Sequence, residues 1–257
     1  MCYSPRPNKD DLQAKYQYLS ERGNIGTLSN PTRRALRLDR QREHFMNRMI
    51  AKHHNAEYQK VLDVGGGDGR LLRPFLEEGC RCYLVDFNPK PYLGIHRIGS
   101  TLEDIPSGSI FDILICSHVL EHVNDPGEFL SQLRSLLTNN GVVYIEVPLE
   151  IWRGIPINSD PVTHINFFTV NSLKNALLLN GLQPLSIKGK FSPYDGKYKR
   201  VAWAVASAAE IEPSLSSVSS IDTKKLIKPG LLPKLLRHVE NFWLKKILNL
   251  PLTNHKN

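Results

Sequence analysis

At 257 residues and 41% hydrophobic content, the chain is long enough for one sizeable core with additions at its ends. Its formal net charge of +8 is unevenly spread: +6 over residues 1–60, −5 over 61–223 and +7 over 224–257, so the middle is acidic, which speaks against a cleft built for nucleic acid and assigns the basic flanks to a surface or partner contact. No apolar run reaches the length of a membrane span, residues 1–10 lack a secretory apolar core, and Cys2, Cys80, Cys82 and Cys116 form no C-x-x-C pair, so a cytoplasmic protein with reduced thiols is expected.

Asp10 to Leu19 reads as a short helix, broken by Gly23 and Gly26. Asn30-Pro31-Thr32 is a helix entry. The helix it opens should run to His53 or His54, with Leu36, Phe45, Met49 and Ile50 as apolar members and His44, His53 and His54 in solvent. From Lys60 the rhythm becomes strand, turn, helix, strand. Strands are expected at 61–64, 80–85, 94–98, 111–116 and 142–147, with helices at 70–78 and 126–137. The second of these helices is read as closed by Asn140-Gly141. Thr169 should cap a helix that ends at Asn180-Gly181, and the last two strands fall at 185–190 and 198–206. Such alternation implies a mostly parallel sheet covered on both faces. Ser-rich residues 209–222 read as a linker, and 223–257 as a basic amphipathic tail whose apolar residues, Leu232 to Leu250, fall at helical spacing. Residues 1–59 would form an N-terminal helical lid and 60–208 the catalytic domain.

The sharpest signal is Asp63-Val64-Gly65-Gly66-Gly67-Asp68-Gly69, between a strand and a helix. Glycines there allow a tight turn and a close ligand approach. Arg70 breaks the dinucleotide fingerprint, and no Gly-Lys-Ser/Thr follows for a phosphate loop. A structural turn alone would not need four glycines in five residues. Asp86, at the tip of the second strand, can accept both ribose hydroxyls of a nucleotide, or be a plain turn aspartate before Asn88-Pro89.

These segments resemble the class I S-adenosylmethionine-dependent methyltransferases. The first motif is Val61 to Gly69, the second-strand motif Leu84-Val85-Asp86-Phe87, the fourth-strand motif Phe111 to Val123, and the approach to the fifth strand Leu136 to Pro148. The resemblance runs from about Val61 to Ala206 and implies a Rossmann-like, doubly wound α/β sheet of seven strands with a reversed last hairpin. It implies that S-adenosylmethionine lies over Gly65, Gly66, Gly67 and Gly69, that Asp63 orients the loop, and that Asp86 holds the ribose with Phe87 on the adenine. Thr101 and Leu102 fall at the adenine, Thr101 standing where the family often carries an Asp. Ser117 and His118 would lie near the methionine end.

A hydroxyl acceptor must lose a proton, for which a positioned base contributes ~10²–10⁴-fold. The loop after the fifth strand holds Trp152, Arg153, Asp160 and His164. His164-Ile165-Asn166-Phe167-Phe168-Thr169 resembles a His-x-x-x-Phe-Ser/Thr element found among sugar- and polysaccharide-modifying methyltransferases. His164 is therefore a candidate base, or else a histidine that pins its own loop to the next helix. Glu121-His122 is read as local packing, and no Asp/His cluster suggests a metal. No Asn/Asp-Pro-Pro-aromatic sequence follows the fourth strand and no Pro-Cys pair occurs, so nucleic acid is not the expected substrate. The expected function is methyl transfer to a small-molecule or glycan acceptor at oxygen. The alternatives are a quinone-type acceptor at the membrane surface and a binding module that transfers nothing. Peripheral membrane contact through the C-terminal helix stands beside packing of that helix on the protein itself or on a second subunit.

Overall fold

A computed structural model describes residues 11, 14, 33–54, 59–88, 90–149, 164–194 and 197–208. All of them belong to one compact unit. Of the expected helix at 10–19 only Asp11 and Ala14 are described, and residues 150–163, the linker and the basic tail lie outside the described residues.

The first helix, α1 (Arg33–Ala51), is built on an apolar stripe. Leu38, Met46, Met49 and Ile50 are buried, while Leu36 turns outward at 39% exposure, against expectation. A period of 3.6 explains the difference, because position 36 falls off the face shared by 38, 42, 46, 49 and 50. Asp39 and Glu43, on the flank of that face, pair with Arg70 at 3.1 Å and Arg73 at 2.6 Å. After the helix, His54 is buried rather than solvated, and His53 Nε2 lies 2.7 Å from Ser186 Oγ. Only His44 of the three is exposed.

The sheet contains β1 (Lys60–Val64), β2 (Arg81–Val85), β3 (His96–Gly99), β4 (Phe111–Ser117), β5 (Leu137–Pro148), β6 (Leu182–Tyr194) and β7 (Lys197–Ala208). Their spatial order is β3-β2-β1-β4-β5-β7-β6. The first five strands run parallel, and β7 is antiparallel to both β5 and β6. This is the seven-stranded α/β sheet with a reversed last hairpin that the motifs imply. Central strands β1 and β4 carry near-continuous apolar runs, as strands covered on both faces must. Phe45 of α1 meets Trp203 of β7 edge-on at 5.3 Å, and Tyr144 of β5 stacks on the same indole at 6.4 Å. Cys80, Cys82 and Cys116 are buried, and none of them is in a disulfide among the described residues. Among the described residues no helix is long and apolar enough to cross a membrane.

Among the described residues three further helices cover the sheet: α2 (Arg73–Glu77), which continues a 3-10 turn at 70–72, α3 (Pro126–Ser135) and α4 (Val170–Leu179). Asp125 caps α3 by accepting from Gly127 N and Glu128 N. Asn140-Gly141 does not close α3. That helix ends at Ser135, and β5 begins at Leu137, so the pair lies inside the strand. The β4–β5 register shifts between Phe111 and Ile113, which absorbs the extra residues. Thr169 caps α4 as expected, in a box where Ser172 N donates to Thr169 Oγ1 and Thr169 N donates to Ser172 Oγ. Gly181, at φ +69°, ends it.

Candidate active site

The parallel strands bring their carboxyl ends to one edge, where an open α/β sheet places its ligand. Val64 leads into the glycine loop, whose backbone Gly65 N donates to Val85 O at 2.7 Å. Each glycine has its own reason. Gly65, Gly67 and Gly69 adopt positive φ, and a Cβ on Gly66 would lie 2.0 Å from Asp63 Oδ2. Against the expectation from sequence, the turn by itself accounts for all four, and of the four only Gly67 has open space where a side chain would point. Gly67 is the position at which the loop faces outward.

Asp86 braces this loop from the β2 tip. Its Oδ2 accepts from Gly67 N at 2.8 Å and its Oδ1 from Asn88 N at 2.6 Å. Each carboxylate oxygen keeps a second acceptor site for a ribose hydroxyl. Burial raises its pKa, against the two backbone N–H groups. Asp63 lies beneath the loop, fully buried, with neither oxygen hydrogen-bonded. Burial, and then the charge of Asp86, push its pKa up to about 7. Phe87 is half-buried beside Asp86. Thr101 caps the 3-10 turn at Leu102–Asp104, where Asp104 accepts from Ser100 N and Thr101 N.

At the tip of β4, Ser117 is buried and His118 takes a left-handed φ of +58°, unusual for a side-chain-bearing residue. Its ring stacks on Tyr194 of β6 at 3.9 Å. Opposite Ser117 in the sheet stands Glu146, fully buried on β5. Arg42 of α1 donates through Nε to Glu146 Oε1 at 3.0 Å and through its other arm to Ser117 Oγ. Tyr144 and Ser192 hydroxyls donate to Glu146 Oε2 at 2.9 and 3.3 Å, and His118 Nε2 lies 3.5 Å from Oε1. Burial opposes ionisation of Glu146, but Arg42, His118 and Tyr144 outweigh it and hold its pKa far below the usual carboxylate range. Nearby, Lys190 Nζ sits 3.1 Å from the Phe45 ring centroid, and burial pushes its pKa down to about 8 against the pull of Glu146.

A second cluster forms where the segment after β4 meets the segment before α4. Ile165 N and Asn166 N both donate to Glu121 O at 3.0 Å, and Asn166 Nδ2 donates to Leu120 O and Val123 O at 3.1 and 2.7 Å. This splice brings His164 to His122, with ring centroids 4.8 Å apart. Nitrogens of both rings and an oxygen of Glu121 lie within 4.8 Å of one another. Sequence puts His164 near the acceptor and gives Glu121-His122 as local packing, with no metal-type cluster in either stretch. The structure brings all three together, and no local pattern announces it, because His164 lies 42 or more positions from His122 and Glu121. Arg42 and Glu146 were also missed. Their signals were an arginine on the apolar stripe of α1 and a glutamate inside the apolar run Val142 to Val147.

Strand order, reversed hairpin and a glycine loop braced by the β2 carboxylate define a class I S-adenosylmethionine-dependent methyltransferase domain. A family profile described as a methyltransferase domain matches residues 32–187, and the chain belongs to that family. Its cofactor is S-adenosylmethionine, which supplies a methyl carbon activated on sulfur. The residues present fit it: Gly67 leaves the loop open, and Asp86 keeps free acceptor capacity. The fold is similar to 1,6-didemethyltoxoflavin-N1-methyltransferase of Burkholderia thailandensis, with TM-score 0.61 and 19% identity over 80% of this chain and 93% of that one. Magnesium protoporphyrin IX methyltransferase of Synechocystis PCC 6803 is also similar, with TM-score 0.51 and 17% identity over 76% and 99%. Ubiquinone biosynthesis O-methyltransferase of Rhodopseudomonas palustris (strain HaA2) is 28% identical over 109 residues, 38% of this chain and 43% of that protein. The same enzyme of Rickettsia canadensis (strain McKiel) is 24% identical over 114 residues, 40% and 48%. The chain spans about half the length, or less, of these curated relatives.

Proposed function

We propose that this protein transfers the S-adenosylmethionine methyl group to a hydroxyl oxygen of a small-molecule or glycan acceptor. One observation carries the reading: His164, the candidate base, is spliced onto Glu121-His122 just past the β4 tip, at the edge where the glycine loop also ends. Gly65, Gly66, Gly67 and Gly69 carry the cofactor, Asp86 its ribose, Phe87, Thr101 and Leu102 its adenine side, and Ser117 and His118 its methionine end. Alignment of acceptor oxygen, methyl carbon and sulfur supplies much of the rate. His164 promotes loss of the acceptor's proton.

A quinone-type phenolic acceptor is the second reading, favoured by the names of the curated relatives. The basic residues 224–257 would then hold the protein to anionic lipid. The experiment presents sugar nucleotides and dihydroxybenzoates, with radiolabelled S-adenosylmethionine, to native protein and to His164→Ala. The reading expects label in an acid-stable ether with one acceptor class, and a loss of turnover in the variant while S-adenosylhomocysteine still binds. Cofactor binding without transfer to any hydroxyl would leave a binding module.

A further inference from the structure

We propose that Glu121, His122 and His164 form an open binding site for a divalent metal ion of the Zn²⁺ type, against which the methyl acceptor's hydroxyl is held. The inference rests on the transferase reading and names how that site engages its acceptor.

Glu121 is fully buried, and neither carboxylate oxygen has a well-aligned hydrogen bond; the nearest donor is His118 Nδ1, 3.3 Å from Oε1. A buried carboxylate left so is costly unless a cation or donor meets it. What faces it is imidazole: His118 Nδ1 at 3.3 Å and His122 Nε2 at 3.7 Å from Oε1, with His164 closing the group. Two imidazoles and one carboxylate are the donor set that borderline divalent ions take, and three protein ligands leave a position open for substrate. The longest separation in the group is 4.8 Å. Ligands ~2.0 Å from a tetrahedral ion stand ~3.3 Å apart, so closure needs a movement of ~1.5 Å by side-chain rotation.

The backbone does not need to move. Four hydrogen bonds to Leu120, Glu121 and Val123 carbonyls already fix the His164 segment. Burial grades outward across the set: Glu121 is sealed, while His122 and His164 are half-buried and border solvent. An ion seated there is anchored from below and open above. His164 then acts as a ligand rather than as a free base. The acceptor's O–H binds at the open position, and the ion's charge lowers its pKa so that the proton passes to water. An oxygen lone pair forms the new O–C bond as the C–S bond breaks, and S-adenosylhomocysteine leaves with the electron pair on sulfur.

The test uses the full chain, stripped with chelator and checked for S-adenosylhomocysteine binding as evidence of fold. Titration with Zn²⁺ should show one ion per chain, and Co²⁺ should give the intense visible absorption of a low-coordinate nitrogen and oxygen site. Glu121→Gln, His122→Ala and His164→Ala should each weaken Zn²⁺ by tenfold or more, while His44→Ala, on the exposed face of α1, should not. If Glu121→Gln fails to fold, the cobalt spectrum of the native chain and the half-buried His122→Ala variant still decide. Absence of Zn²⁺ and Co²⁺ binding, or equal affinity in the folded variants, overturns the site and leaves an imidazole–carboxylate packing cluster. Chelator-resistant methyl transfer also overturns it, with the transferase reading intact. Metal binding without transfer to any hydroxyl acceptor removes that reading instead.

Discussion

Arg42 of α1 and Glu146 of β5 lie 104 positions apart in sequence, and the guanidinium Nε donates to the carboxylate at 3.0 Å. Glu146 is fully buried and the Arg42 side chain only 12% exposed. The pair therefore ties the N-terminal helix to the carboxyl edge of the sheet from inside the protein. Removing one partner leaves the other charge buried and unpaired, which costs about 3–5 kcal/mol. Arg42→Met should lower stability by that order in urea titration. The double variant Arg42→Met/Glu146→Leu should recover part of the loss, since a buried ion pair exchanged for apolar groups is often near neutral. Equal stability of Arg42→Met and the native chain would remove the pair from any anchoring role.

What could be read from the sequence was what local chemistry dictates. The glycine loop, Asp86 at a strand tip, the Thr169 cap and the αL glycine at 181 each follow from a few adjacent residues, and the sheet follows from their alternation. Contacts between distant segments could not be read. The Glu121 carboxylate meets His164 only because Asn166 hooks three backbone carbonyl groups' worth of turn with its amide and N–H, and nothing in Glu121-His122 announces that partner. The early start of β5 was hidden for a related reason: Asn140-Gly141 is a good helix stop, but tertiary pairing of Leu137 with Phe111 takes precedence.

The two central glycines of the loop should separate fold from ligand. Gly66→Ala drives a methyl group to 2.0 Å from the Asp63 carboxylate, so it should destabilise the protein even without cofactor. Gly67→Ala meets nothing within 4 Å and keeps only the strain of φ +65°, on the order of 1–2 kcal/mol. Its larger effect should fall on S-adenosylhomocysteine affinity. Thermal melts and calorimetry on both variants check this. If Gly67→Ala binds the cofactor product as the native chain does, the outward face of Gly67 is not the ligand face.

Asp86 carries two tasks, bracing Gly67 N and Asn88 N and offering its remaining acceptor sites to a ribose. Asp86→Asn preserves one acceptor oxygen and the shape. Loss of hydrogen bonds to a charged group costs about 1.5–3 kcal/mol, so S-adenosylhomocysteine should bind ~10–150-fold more weakly. The melting temperature of the unliganded variant reads the bracing part separately. Undiminished affinity would refute the ribose role.

Asp63 sets a pH dependence on the fold itself. Its carboxyl is buried without a hydrogen bond, and burial with the Asp86 charge raises its pKa from 3.8 to about 7. A folded-state pKa above the unfolded one means that the folded chain binds the proton more tightly between those two values. Stability from this group is therefore full below the unfolded pKa, falls as pH rises from about 4 to about 7, and is flat beyond. Each unit of difference is worth ~1.4 kcal/mol, so the total is a few kcal/mol. Asp63→Asn removes the titration while keeping the size of the side chain. Chemical denaturation at pH 5 and pH 7.5 should show a smaller decline for the variant than for the native chain, and the two proteins should draw closer in stability at the acid end, where the native carboxyl is protonated. A native chain whose stability rises over that interval by the same amount as the variant's would show that Asp63 is ionised throughout and that a partner on the ligand side meets its charge.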